Sequence, residues 1–125
     1  MRTLKAENCT THFFQRLEQA DHSVLLLDYD GTLAPFHVRP MLAQPYSGVV
    51  ESLDSILATG NTRVVVLSGR RAEEIAMLMP LKRRPEIWGL DGWERLMPDG
   101  RLTLMEPPPQ TRHYLHEALT LLKCN

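Results

Sequence analysis

The stretch Ser23-Val-Leu-Leu-Leu-Asp-Tyr-Asp-Gly-Thr32 decides the fold of this 125-residue chain. Its continuous apolar run, Val24 to Leu27, is typical of a strand that is buried on both faces of a parallel sheet. Two carboxylates and a turn glycine follow the run directly. The stretch therefore predicts a buried strand whose carboxyl end carries polar groups.

A second segment repeats this pattern further along the chain. Residues 63–67 are rich in β-branched side chains and predict another buried strand. The polar loop 68–70 follows, and then a helix from about residue 71 to 79. Between the two strands, apolar residues at helical spacing predict a helix over 47–59, with Gly60 as its left-handed C-terminal cap.

The remaining patterns predict a helix over 10–19, a short strand over 86–89, a hairpin of 93–96 and 101–104 around a Pro-Asp-Gly turn, and a helix over 111–123. The alternation of strands and helices predicts an α/β fold with a doubly wound parallel sheet. Ligands of such sheets bind at the carboxyl ends of the strands. Both polar loops lie at such ends.

Composition narrows the class of protein. With 14 basic and 15 acidic residues the chain has a net charge of −1, which argues against a nucleic-acid-binding role. Two cysteines are too few for a disulfide framework and favour free thiols in a reducing cytosol. No signal peptide is recognisable, and the longest apolar run is too short to span a bilayer. We therefore expect a cytoplasmic protein without a membrane or nucleic-acid partner.

The chemistry of the first loop points to a cation and a phosphate. Asp28 and Asp30 lie two residues apart, so in an extended chain they point to the same side. Two close carboxylates repel each other unless a cation or a proton lies between them, and hard oxygen ligands of this kind suit Mg²⁺. Gly31 permits a sharp turn that leaves amide groups facing the site, and Thr32 adds a hydroxyl donor.

The second loop adds an anion site. The Ser68 hydroxyl, with free amides such as that of Gly69, precedes a helix N-terminus, where anions are stabilised. The two loops together predict one phosphate cradle beside a cation.

Residues 28–33, DYDGTL, resemble the first signature of the haloacid-dehalogenase superfamily, and residues 66–70, VLSGR, resemble the second. Residues 27–36 are similar to trehalose-6-phosphate phosphatases in particular. Residues 89–94, GLDGWE, resemble the GLHGxE segment of that family, although Asp91 stands where the family usually has His. The resemblance covers about residues 22–105.

The resemblance implies a mechanism of phosphate-monoester hydrolysis. Asp28 is the expected nucleophile, which forms an aspartyl-phosphate, and Asp30 is the expected general acid and base. Mg²⁺ is expected on the Asp28 carboxylate, the Asp30 backbone carbonyl and the phosphate. The residues expected to hold the phosphate are Gly31, Thr32, Ser68 and Gly69. Glu94 is an expected substrate contact, and Arg70 either contacts the substrate or caps the helix.

The superfamily also uses a later lysine and a later acidic pair, and nothing after residue 70 resembles that pair. We therefore interpret the chain as the N-terminal part of a haloacid-dehalogenase-like core, with the cap domain and later strands missing. It divides into an N-terminal helix (1–21), a partial core (22–106), and a linker with the start of a cap helix (107–125). The strand that ends at Asp28 would be central in the whole fold, so we expect it to have an unpaired edge here.

The expected reaction converts trehalose 6-phosphate into trehalose and phosphate. Two alternatives remain open: another sugar-phosphate phosphatase of the same superfamily, or a truncated, non-catalytic half-domain. Expected partners are the sugar phosphate, a trehalose-6-phosphate synthase, or the missing half of the core.

Overall fold

The computed structural model describes residues 6–123. Its elements are, in order, α1 (Ala6–Glu18), β1 (Ser23–Asp28), α2 (Val49–Thr59), β2 (Thr62–Leu67), α3 (Ala72–Leu78), β3 (Glu86–Gly89), β4 (Glu94–Leu96), β5 (Leu102–Leu104) and α4 (Pro109–Lys123). Short 3₁₀ turns at Pro40–Leu42 and Leu90–Gly92 complete the fold. The predicted helices and strands are all present, with bounds shifted by a few residues.

The five strands form one sheet in the order β1-β2-β3-β4-β5. β1, β2 and β3 run parallel, whereas β4 and β5 return as an antiparallel hairpin. Asp28 pairs with Leu67, so the loops after β1 and β2 leave the sheet side by side. The predicted α/β class, with a parallel sheet and a small hairpin, is confirmed.

Helices α2 and α3 pack on one face of the sheet and form the core with it. The core side chains include Leu53, Ile75, Leu78, Val64, Val66, Ile87 and Leu96. Tyr29 extends this core beneath the first loop, and its hydroxyl donates to the Ala43 carbonyl at 2.6 Å. Burial raises the pKa of Tyr29, so this hydroxyl keeps its proton. The hydrogen bond of Tyr29 thus holds the loop 33–46 against the hydrophobic core.

The prediction that β1 is buried on both faces is wrong. Val24 and Leu26 are 60% and 61% exposed, while Leu25 and Leu27 on the opposite face are partly buried. β1 pairs with β2 alone and lies at the edge of the described sheet, as the expected unpaired edge requires. On that face the Val24 and Leu26 side chains are uncovered within residues 6–123, whereas Val65 beside them is buried.

The terminal helices also expose apolar side chains. Phe13, Phe14 and Leu17 of α1 are 44–60% exposed, and Tyr114, Leu115 and Leu119 of α4 are 54–65% exposed. The amphipathic patterns of α1 and α4 predicted the two helices correctly. They did not predict which part of the protein would cover the apolar face of each helix. Within the described part of the chain, no helix has the length and apolar content needed to cross a membrane.

Glu86 is the centre of a polar network on β2, β3 and β4. Its buried carboxylate accepts hydrogen bonds from Arg63 at 2.5 and 2.9 Å, from Trp88 Nε1 at 2.7 Å and from Arg95. Burial pushes the pKa of Glu86 upward, but the hydrogen bonds from Trp88 and the two arginines outweigh it and lower the pKa. The ionised carboxylate therefore stabilises the fold.

This network predicts a loss of stability in acid. The folded-state pKa of Glu86 lies below its ordinary value of 4.5, so its stabilisation is complete above that value and is lost as the pH falls through the folded pKa. Glu86→Gln should lower the free energy of unfolding at neutral pH by about 2–3 kcal/mol and flatten its pH dependence. Urea titrations at several pH values measure both effects.

The matched control for this prediction is Glu51→Gln, because Glu51 is an exposed glutamate on α2. We expect this change to leave the free energy of unfolding at neutral pH close to that of the parent chain. Identical pH profiles for the parent and Glu86→Gln would show that the network does not contribute the acid sensitivity.

Candidate functional site

The loop after β1 makes a tight turn that strongly favours glycine at position 31. Gly31 has a φ of 83°, and a side chain there would collide with the ring of Phe36. The predicted free amides are not free, because Gly31 donates to the Ala34 carbonyl at 2.7 Å and Thr32 donates to the Tyr29 carbonyl at 3.3 Å. In this conformation the turn is closed on itself rather than open to an anion.

One cavity of about 340 Å³ lies at the carboxyl ends of β1 and β2. The residues that line it are Asp28, Leu67, Ser68, Gly69, Trp88, Asp91 and Gly92. Asp28 is exposed to it, and the Thr32 hydroxyl donates to Asp28 Oδ2 at a long 3.4 Å. The structure thus brings Asp28, Ser68 and Gly69, from two separate loops, to one concave surface.

Ser68 is held firmly at the floor of this cavity. It is 6% exposed, its backbone amide donates to the Trp88 carbonyl at 2.9 Å, and its Oγ accepts from the Arg70 amide at 3.1 Å. Because Oγ serves as an acceptor in that bond, its own proton is the one that it offers to a ligand.

The start of α3 differs from the prediction. The Ala72 amide donates to Glu94 Oε2 at 2.8 Å, and Arg71 Nε donates to Glu94 Oε1 at 3.3 Å. Glu94 is 3% exposed, so its carboxylate is buried against the helix start. A strand from the hairpin therefore supplies the helix cap, and the predicted substrate contact of Glu94 stays a prediction without a cavity contact behind it.

Arg70 makes a contact that the sequence did not predict, while its predicted contact with the substrate stays a prediction. Its Nε and Nη2 donate to the two carboxylate oxygens of Asp30 at 2.9 and 2.5 Å, and its Nη1 donates to the Pro40 carbonyl at 2.5 Å. The bond with Asp30 raises the pKa of Arg70, which stays charged. Asp30 is consequently turned to Arg70 and does not line the cavity with Asp28.

The loop after β3 has a left-handed backbone at three successive residues. The φ angles are 48° at Leu90, 54° at Asp91 and 96° at Gly92. Two hydrogen bonds hold it against the second loop: the Leu90 amide donates to the Arg70 carbonyl at 2.8 Å, and the Asp91 amide donates to the Ser68 carbonyl at 3.1 Å. This conformation strains the backbone of Leu90 and Asp91, which are not glycines, and such strain is concentrated at functional sites. Sequence reasoning singled out Asp91 only as a departure from the family's histidine.

The donor set limits which metal fits. Among residues 6–123, no three His, Cys, Asp or Glu side chains come together as a metal cage. The Asp28 carboxylate is exposed to the cavity, whereas both Asp30 carboxylate oxygens are occupied by Arg70. A hard cation that keeps most of its waters and takes few protein ligands, such as Mg²⁺, fits this set.

No family model matches the chain. A search of known proteins finds a bifunctional trehalose-6-phosphate synthase/phosphatase from Thermoproteus tenax, which is 35% identical over 82 residues. This match covers 66% of the chain but 9% of that protein.

Solved structures with the same fold include a trehalose-6-phosphate phosphatase from Aspergillus fumigatus, with a TM-score of 0.72 and 20% identity over 86% of the chain. A trehalose-6-phosphate phosphatase C-terminal domain from C. albicans has a TM-score of 0.68 and 19% identity over 76% of the chain. A phosphatase of the haloalkanoate (HAD) superfamily from Bacteroides thetaiotaomicron has a TM-score of 0.56 and 25% identity over 82% of the chain.

The chain spans 40%, 33% and 36% of these three structures, respectively. The resemblance to trehalose-6-phosphate phosphatases and to the haloacid-dehalogenase superfamily is confirmed, as a match to part of the phosphatase fold.

Proposed function

We propose that this chain carries the nucleophile half of a phosphate-monoester hydrolase site that acts on trehalose 6-phosphate, releasing trehalose and phosphate. The observation that carries this proposal is the shared cavity of Asp28 and Ser68 at the carboxyl ends of two parallel strands. The names of the relatives support the substrate, since the sequence match and two of the structural matches are trehalose-6-phosphate phosphatases or include that activity.

In the proposed reaction the Asp28 carboxylate attacks the phosphorus atom, and the bond to the sugar oxygen breaks. An aspartyl-phosphate forms, and Asp30 protonates the leaving sugar oxygen. Asp30 then takes a proton from the water that hydrolyses the intermediate, which frees Asp28 as a carboxylate and returns Asp30 to the protonated form in which it began. The Ser68 hydroxyl and the Thr32 hydroxyl are suited to donate to the phosphate oxygens, with the Gly31 and Gly69 backbones beside them.

We propose Mg²⁺ as the cofactor, held by the Asp28 carboxylate and the Asp30 backbone carbonyl. When bound, it would neutralise charge on the phosphate. The chain's own contribution is to place the carboxylate and the hydroxyl donors on one surface.

A second candidate is another sugar-phosphate phosphatase of the superfamily. The carboxylate of Asp91 favours it, because this residue lines the cavity where the family usually carries histidine.

A non-catalytic half-domain remains the third hypothesis. The exposed apolar side chains of β1 favour binding to a partner protein, which would cover them. A trehalose-6-phosphate synthase or the rest of a phosphatase core would be that partner. A cytoplasmic location stays a prediction.

The test is phosphate release from trehalose 6-phosphate with Mg²⁺, by the protein at its full encoded length. Sucrose 6-phosphate serves as the competing substrate. Asp30→Asn should slow turnover by about 10²–10⁴, the usual contribution of a general acid–base group, and should accumulate phosphorylated protein because hydrolysis loses its base. Intact-mass spectrometry measures the added phosphate. Turnover of neither substrate by a folded protein would contradict the proposal.

A further inference from the structure

Arg70 connects three segments around the site with one guanidinium group. It binds both carboxylate oxygens of Asp30, donates to the Pro40 carbonyl, and lies 5.5 Å from the centre of the Tyr29 ring. Its side chain is 12% exposed and that of Asp30 is 25% exposed, so the ion pair is largely shielded from water. A shielded, bidentate pair of this kind is among the stronger polar contacts in proteins.

This pair conflicts with the use of Asp30 in catalysis. A general acid or base must bring an oxygen within hydrogen-bond range of the reacting group. Here both oxygens accept from a permanently charged partner, and the carboxylate does not line the cavity that Asp28 and Ser68 share. In this state Asp30 is held in place but withheld from the reaction.

A phosphate group is the natural competitor for the same guanidinium. The planar fork of arginine binds phosphate in the bidentate way that it binds carboxylate. The Arg70 backbone amide already contacts Ser68 Oγ, so the arginine originates at the rim of the cavity where a phosphate would lie. A phosphate beside Ser68 would therefore lie next to the backbone from which the Arg70 side chain extends.

We propose that Arg70 is a positioning residue that masks Asp30 in the resting protein, and that a phosphate group entering beside Ser68 takes over the guanidinium and releases the carboxylate. The inference rests on the proposed function for the catalytic role of Asp30. Its test needs no turnover, so the two can fail separately.

The masking is tested by carboxyl labelling with a carbodiimide and glycine ethyl ester, read by peptide mass spectrometry. Arg70→Gln should raise the labelling rate of Asp30 by about tenfold, on the scale of one charge-assisted hydrogen bond. Arg70→Lys should be intermediate, since an ammonium group offers no fork. The matched control is Arg101→Gln, which removes the exposed pair with Asp99 and should leave Asp30 labelling unchanged. Equal labelling of Asp30 in the parent chain and in Arg70→Gln would overturn the masking.

The exchange is tested by adding inorganic phosphate and magnesium chloride to the same reaction, with Asp99 labelling in each sample as the internal reference. Phosphate should raise Asp30 labelling in the parent chain towards the Arg70→Gln value and have no effect in Arg70→Gln. Persistent protection of Asp30 while ³¹P NMR shows bound phosphate would overturn the exchange alone. Absence of phosphate binding would overturn both the exchange and the proposed phosphate site, whereas the masking is decided by the phosphate-free comparison.

Discussion

Asp28→Asn is expected to lower phosphate release from trehalose 6-phosphate by about 10³-fold or more, the scale on which hydrolases lose activity without their nucleophile. The amide has nearly the same shape as the carboxylate but cannot attack phosphorus. Asp28 is exposed to the cavity, and its long bond from Thr32 adds little to stability. The variant should therefore unfold in urea as the parent protein does, which separates lost chemistry from lost structure.

Two aspartates make matched controls for this result. Asp91→Asn changes the other carboxylate of the cavity, and Asp99→Asn changes one in the exposed hairpin turn. We expect a loss of about tenfold or less for Asp91→Asn, since it alters one polar contact, and no loss for Asp99→Asn. If Asp28→Asn kept the parent rate while Asp91→Asn lost it, Asp91 rather than Asp28 would be the nucleophile.

Gly89→Ala is expected to cost about 3 kcal/mol in the free energy of unfolding, the upper end of the usual range for an overpacked core. A methyl group at this position would lie 2.7 Å from the Arg70 carbonyl oxygen and closer still to the Ala72 amide. Both are backbone atoms, so no side-chain rotation relieves the collision. The start of α3 must move away from β3, which also disturbs the contact between Ala72 and Glu94.

The matched control is Gly69→Ala, which adds the same methyl group in the neighbouring loop. There the nearest atom is a carboxylate oxygen of Asp91 at 3.4 Å, an ordinary contact with a movable side chain. Urea titrations should show a small change for Gly69→Ala and a large one for Gly89→Ala. Similar midpoints for the two variants would mean that β3 and α3 are not in close contact.

Much of the site was predictable because its signals are local. The end of a strand is recognised where an apolar run gives way to carboxylates, or to a serine and a glycine. Adjacent residues are enough to identify it. Parallel strands bring such ends to one edge of the sheet, which is why Asp28 and Ser68 were expected together and line one cavity.

The partners of the polar side chains were not predictable in the same way. Arg70 pairs with Asp30 across 40 residues of sequence, and Glu94 reaches the Ala72 amide across 22. No periodicity links such positions, because their distance depends on sheet order and on the packing of α3 against β3 and β4. The exposure of Val24 is another such case, since an apolar run indicates a strand but not what covers it.

By itself, the sequence determined the order of helices and strands, the polar groups at the ends of β1 and β2, and the glycine turn after Asp28. These depend on backbone preferences and on the spacing of apolar residues, which act between near neighbours in the chain. The tertiary structure alone decided that Asp30 faces Arg70 and that Glu94 caps α3. These contacts arise only when the register of the sheet brings distant residues within hydrogen-bond range, and each such bond replaces water on a charged group that would otherwise stay solvated.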